Sequence, residues 1–166
     1  MPAAIARVTA DGLLRFRGET LRCALGAGGI RADKREGDGA TPVGLLPIRR
    51  VLFRADRGAR PATSLPAEPI APGDGWCDDP GHADYNRQVR LPHPARHERL
   101  WREDAVYDVI GVLGWNDAPV QRGRGSAIFL HLARPGMPPT EGCVALPEGD
   151  LRRLLAQGLA GLEVVG

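Results

Sequence analysis

At 166 residues, with 22 basic and 20 acidic side chains, the chain can bury roughly two-thirds of its unfolded surface in one core. The charges are scattered, which excludes a nucleic-acid partner read by a basic stripe, and no apolar run approaches the roughly 18 residues of a transmembrane helix. Three cysteines, Cys23, Cys77 and Cys143, are too few for a disulfide framework, and their odd number leaves a free thiol unless it pairs between chains.

Twenty-two glycines and 15 prolines leave helices little uninterrupted room, so short strands joined by turns are expected. Residues 5–9 and 13–17 read as strands around Asp11-Gly12, a dipeptide that favours a type I′ hairpin, and 20–25 as a third. A Gly-rich loop follows over 26–44, then a strand over 46–53. Residues 54–104, rich in Pro, Asp and His, read as an irregular lid-like insertion: a covering loop, or one hiding short elements. Residues 107–113 and 127–132 are apolar runs suited to strands buried on both faces. One helix is expected over 148–157, with Glu148 and Asp150 at its positive end, Leu151, Leu154 and Leu155 on one face, and Gly158 free to turn left-handed. Residues 162–165 can add a last strand. The whole, 1–166, reads as a single mostly β domain.

Several motifs lead nowhere. His93 and His97 are spaced like a helical metal pair, but Pro92 and Pro94 break the helix that would present them. Asp78, Asp79 and His82 read as turn residues, and Gly26-Ala27-Gly28-Gly29 lacks the following helix of a dinucleotide loop. No metal or organic cofactor is expected.

The chemistry concentrates near the end. His131 closes the strand run 127–132, and Thr140-Glu141-Gly142-Cys143 follows after a Pro-rich turn. A cysteine nucleophile needs a base, backbone donors for an oxyanion and open space for an acyl group. His131 can be the base, and Gly142 lets the backbone turn tightly so that amides near Cys143 converge. The same pair also fits a buried structural cysteine and a hydrogen-bonded strand-end histidine, and the two residues alone do not choose.

The pattern His131, spacer, Thr140-x-Gly142-Cys143, apolar residue resembles the catalytic signature of the YkuD-type L,D-transpeptidases, and Gly39-Ala40-Thr41-Pro42-Val43-Gly44 resembles the segment preceding a core strand in that family. The chain departs from it at Glu141, where a histidine is usual, at Ala145, where an arginine is frequent, and in its short His-to-Cys spacer. It is similar in this to a divergent proteobacterial branch in which Gly75-Trp76-Cys77-Asp78-Asp79-Pro80 and Tyr85-Asn86-Arg87 recur.

The resemblance implies a β-sandwich-like fold with one helix near the cysteine. It also implies acyl transfer on peptidoglycan stem peptides, donor and acceptor, through a Cys143 thioester that forms 3-3 or 1-3 crosslinks. His131 would serve as base and acid, Gly142 would lie in the oxyanion region, and Tyr85, Asn86, Arg87, Thr140 and Glu141 would bind substrate. Carbapenem reactivity comes with the family. The alternative is a cysteine hydrolase on the same scaffold, an L,D-carboxypeptidase or endopeptidase; a non-catalytic wall-binding module suits an intact Cys-His pair poorly. Such a substrate implies a periplasmic monomer, although Met1 to Arg7 lacks the charged start and apolar stretch of a secretory signal.

Overall fold

The computed structural model describes residues 4–166. Its strands are β1 (Ala4–Thr9), β2 (Leu13–Phe16), β3 (Glu19–Arg22), β4 (Ile30–Arg31), β5 (Thr41–Pro42), β6 (Gly44–Phe53), β7 (Ala67–Pro69), β8 (Asp74–Cys77), β9 (Gln88–Arg90), β10 (His97–Arg99), β11 (Val109–Leu113), β12 (Phe129–Leu132) and β13 (Val144–Leu146). The helix α1 (Glu148–Ala156) and the strand β14 (Leu159–Val164) complete the chain. The main sheet runs β13-β12-β11-β6-β14-β1-β2-β3, with β7 also on β6. Among the described residues the fold is mostly β with a single C-terminal helix, as expected.

The long strand β6 joins the two halves of this sheet. Its first residues, Gly44 to Pro47, pair with β14, and Ile48 to Phe53 pair with β11. Arg49 is skipped in the β11 register, so a bulge marks the handover. The last strand does not cap an edge: β14 lies between β6 and β1 and runs parallel to β1. Asp11-Gly12 sits in a three-residue loop, because Thr9 pairs with Leu13, and only Gly12 turns left-handed (φ 79°). The two-residue turn with both φ positive is Arg17-Gly18 instead (φ 48° and 79°), a turn whose arginine gives no sequence signal.

Side-chain alternation in β11 and β12 explains why their sequences are apolar but for His131. Leu130 and Leu132 enter the main core with Val109, Leu113 and the helix leucines 151, 154 and 155. Phe129 faces the other way, into a second core with Ile110, Val112, Trp76 and Tyr107. That second core is roofed by the 54–104 segment, which is ordered by a small sheet, β10-β8-β9, and by β7. Trp76 of β8 meets the Phe129 ring edge-on at 5.0 Å. A sheet covered on both sides buries the residues of both faces, and all four residues of β12, His131 included, are buried.

Leu130, beside His131 on β12, is fully buried in the main core. Leu130→Ala should cost about 2–5 kcal/mol, the range for opening a cavity in a packed core. Urea melts should show a lower midpoint at unchanged slope, and a loss under about 1 kcal/mol would mean that the main core does not support this strand.

Candidate active site

The turn before β13 is built from backbone contacts that leave no room for a Cβ. A methyl group on Gly142 would lie 2.8 Å from the Ala40 carbonyl oxygen, and its φ of 139° already favours glycine. One on Gly26 would lie 2.2 Å from the Gly39 carbonyl oxygen and 3.0 Å from the Gly142 Cα. The Gly-rich loop and the cysteine turn are therefore pressed together backbone to backbone. Isolated bridges, Ala24 with Ala145 and Gly26 with Thr140, stitch the two segments along their length. Thr140 braces the turn from within: its Oγ1 donates to the Cys143 carbonyl at 2.6 Å and accepts from the Gly142 N–H at 3.1 Å.

Parallel pairing of β12 with β13 sets His131 opposite Ala145. Cys143 lies two residues before Ala145, so it shares the His131 face of the sheet, one pleat period away. The thiol is buried at 8% exposure, accepts the Phe129 N–H at 3.3 Å and donates to the Ala127 carbonyl at 3.2 Å. Burial pushes it up to about 12; the Glu98 and Glu141 charges add to this, and the Phe129 N–H and Lys34 oppose it. His131 is also buried, and its Nδ1 lies 3.0 Å from the Leu132 carbonyl. A carbonyl can only accept, so Nδ1 carries the proton and Nε2 is the basic atom. Desolvation lowers the imidazole below its ordinary value. The two residues are not hydrogen-bonded to each other, and both shifts favour a neutral thiol beside a neutral imidazole.

Cys143 and His131 line one cavity of about 760 Å³. Thr140 and Glu141 line it too, whereas Tyr85, Asn86 and Arg87 do not. The Tyr85 hydroxyl donates to Glu36 at 2.7 Å and accepts from the Gly125 N–H. Asn86 Oδ1 accepts from Trp76 Nε1 and from the Ala127 N–H, both at 3.0 Å, while Nδ2 donates to the Trp115 and Asn116 carbonyls. Asn86 thus has no capacity left for a ligand; it fixes the residue whose carbonyl holds the thiol. Arg87 lines a separate groove with Arg50, Trp76 and Trp115. Cys23 and Cys77 are free, buried and outside the Cys143 cavity. Burial raises both thiols, Cys23 to about 11.

Sequence reasoning missed the wall opposite the thiol. Glu98, Arg102 and Tyr107 line the cavity, and so does Lys34, which is buried and paired with Asp38 at 2.6 Å. Tyr107 donates to Glu98 Oε1, its ring meets His131 edge-on at 5.5 Å, and the Arg102 guanidinium lies 5.3 Å from the ring centre. Burial lifts the Glu98 carboxyl to about 7. The only sequence signal was a lone glutamate in a Pro-rich stretch.

His82, Asp84 and His93 come together as a candidate metal group. Their hydrogen bonds suit a different purpose. Nδ1 of His82 faces the Asp84 N–H and Nδ1 of His93 faces the Ala95 N–H, so each accepts and each Nε2 carries the proton. A ring in that tautomer has no free lone pair for a cation. His93 Nε2 instead donates to Asp84 at 3.0 Å, closing a loop in the cover.

Comparison with known proteins adds one finding. A family model described as the L,D-transpeptidase catalytic domain (YkuD) matches residues 3–165. No curated protein matches the chain.

The Glu98 carboxyl makes stability depend on pH. Folded, it holds its proton to about pH 7; unfolded, it releases it near 4.5. Its stabilising contribution is therefore complete below pH 4.5 and is lost as pH rises to about 7. Glu98→Gln should flatten this loss and leave the variant roughly 1–3 kcal/mol more stable than wild type at about pH 8. Denaturation midpoints measured across the window check it, and an unchanged slope would place Glu98 in water.

Proposed function

Because the chain belongs to the L,D-transpeptidase catalytic domain family, we propose that it transfers acyl groups between peptidoglycan stem peptides, with Cys143 as nucleophile and His131 as general base. The observation that carries this reading is one cavity in which a buried thiol, a histidine of fixed tautomer and a tight glycine turn share a face. Burial disfavours the charged form of both groups, so no standing thiolate–imidazolium pair is invoked. The thiol gives its proton to His131 Nε2 as Sγ attacks the carbonyl of the diamino acid at stem position three. The bond to the terminal D-residue breaks, its amine takes the proton from His131, and a thioester remains. An amine of a second stem then attacks the thioester and forms a 3-3 or 1-3 crosslink.

The backbone at Gly142 and Cys143 is the proposed oxyanion region. The Gly142 N–H is engaged by Thr140, so we assign the Cys143 N–H as the donor, an effect worth about 2.7–4 kcal/mol where such a donor has been removed. No step calls for a metal or organic cofactor. Crosslinked wall lies outside the inner membrane, which sets the proposed location in the periplasm. No helix among the described residues is long and apolar enough to cross a membrane.

A carbapenem presents a strained carbonyl in place of the donor stem. Intact-protein mass spectrometry should show one adduct, mapped to the peptide containing Gly142-Cys143 and missing in Cys143→Ser, whose oxygen is the weaker nucleophile. An adduct on Cys77 with Cys143 unmodified would place the nucleophile in the wrong loop.

His131→Ala should slow acylation by about 10²–10⁴-fold at neutral pH. Rescue by alkali should be late, because burial holds the thiol near 12 and little thiolate forms unaided below that. Stopped-flow acylation rates against pH test this; a profile that matches wild type would remove His131 from the role of base.

A further inference from the structure

Glu98 sits in the reaction cavity with a task the acylation step does not use. One carboxylate oxygen, Oε1, is held by the Tyr107 hydroxyl. The other, Oε2, accepts no hydrogen bond from a described residue, and it is not a sealed orphan, since no buried side-chain oxygen among the described residues lacks a partner. It is therefore open to the cavity that also holds Cys143 and His131. β10 pairs Glu98 with Trp76, and Trp76 packs on Phe129, whose N–H binds the thiol, so the carboxylate is fixed to the same framework as the nucleophile.

The charged groups around Glu98 leave it available to a cation. Asp78 and Glu141 act on it as like charges, and Asp78 is already paired with Arg96. Arg102 is the opposing cation, but its guanidinium is taken by Asp104 through two hydrogen bonds. Tyr107 is a neutral donor, since burial holds its phenol well above the usual range.

We propose that Glu98 receives the ammonium group of the acceptor stem and takes its proton, so that the thioester is resolved by an amine rather than by water. This rests on the acyl-transfer reading above. In the balanced step, R–NH₃⁺ gives one proton to the Glu98 carboxylate and the freed amine attacks the thioester carbonyl. The C–N bond forms and the C–S bond breaks. A second amine proton passes through His131 Nε2 to the departing sulfur, and the third stays on the new amide. The products are the crosslink, the Cys143 thiol and protonated Glu98, which returns its proton to solvent. A carboxyl lifted to about 7 by burial is matched to taking up and releasing a proton near neutrality.

The test uses the full chain with purified disaccharide-tetrapeptide, reading crosslinked dimer against hydrolysed tripeptide by mass spectrometry over pH. In wild type the dimer-to-tripeptide ratio should rise and level off above about pH 7, where Glu98 is ionised. In Glu98→Gln the ratio should fall by at least about tenfold at neutral pH and keep climbing with pH, because only solvent then supplies free amine. Tyr107→Phe removes a group that lowers the Glu98 pKa, so its plateau should begin at higher pH. That variant decides the matter if Glu98→Gln yields neither product. A ratio in Glu98→Gln within about twofold of wild type, with the plateau kept, overturns the proposal. So does a plateau that Tyr107→Phe leaves unmoved, or a wild type that makes tripeptide alone. A wild type that forms neither product and no carbapenem thioester would instead defeat the acyl-transfer reading itself.

Discussion

The site depends on a place where three stretches of backbone come too close for a side chain. Gly26, the Gly39-Ala40 carbonyls and Gly142 meet at distances that any Cβ would violate. Because the turn is pinned there, Cys143 enters β13 in one register, and parallel pairing with β12 then fixes which face the sulfur shares with His131. Asp38 locks the other side of the contact by accepting from Lys34 Nζ and the Ala40 N–H, with its second oxygen on the Arg35 N–H. The Gly-rich loop is therefore neither a linker nor a phosphate cradle. It is the mould in which the cysteine turn is cast.

Burial gives Cys143, the proposed nucleophile, an electrostatic character opposite to that of an exposed reactive cysteine. Reactive thiols usually sit near cations or helix N-termini that lower their pKa. Here the thiol donates to the Ala127 carbonyl, desolvation raises it, and the cation that opposes this, Lys34, is paired with Asp38. The same desolvation lowers the His131 imidazole below its ordinary value and so favours its neutral form. In the proposed reaction such a pair would ionise as proton transfer is coupled to attack on a bound carbonyl.

The sequence carried the parts whose signal is local. Leu151, Leu154 and Leu155 at helical spacing gave α1, and the apolar runs gave β11 and β12, with His131 near the end of β12 and Cys143 just before β13. The motif that singled out the Cys-His pair is local in the same way. What escaped was decided by packing across long separations. Tyr85, Asn86 and Arg87 formed a conspicuous tripeptide, but a polar residue that saturates its hydrogen bonds inside the fold reads in sequence like one reserved for a ligand. Glu98 escaped for the converse reason: its neighbours Tyr107, His131 and Cys143 gather around it only once the cover folds back over β12. Arg17 at positive φ and the placement of β14 inside the sheet are likewise properties of the assembled strands.

The cover also removes the separation between scaffold and site that a sandwich normally allows. Trp76 packs on Phe129, Phe129 gives its N–H to the sulfur, and Asn86 binds both the Trp76 indole and the Ala127 N–H. Ala127 in turn holds a left-handed backbone (φ 53°), costly for a side chain bearing a Cβ, and its carbonyl accepts the thiol proton. Asn86 is left-handed as well (φ 58°), so two strained residues stabilise one another through a single buried hydrogen bond. Strain of this kind persists only where the surroundings over-determine it. Here the surroundings are the 54–104 cover, so the segment that looks most dispensable in sequence is the one that aims the sulfur.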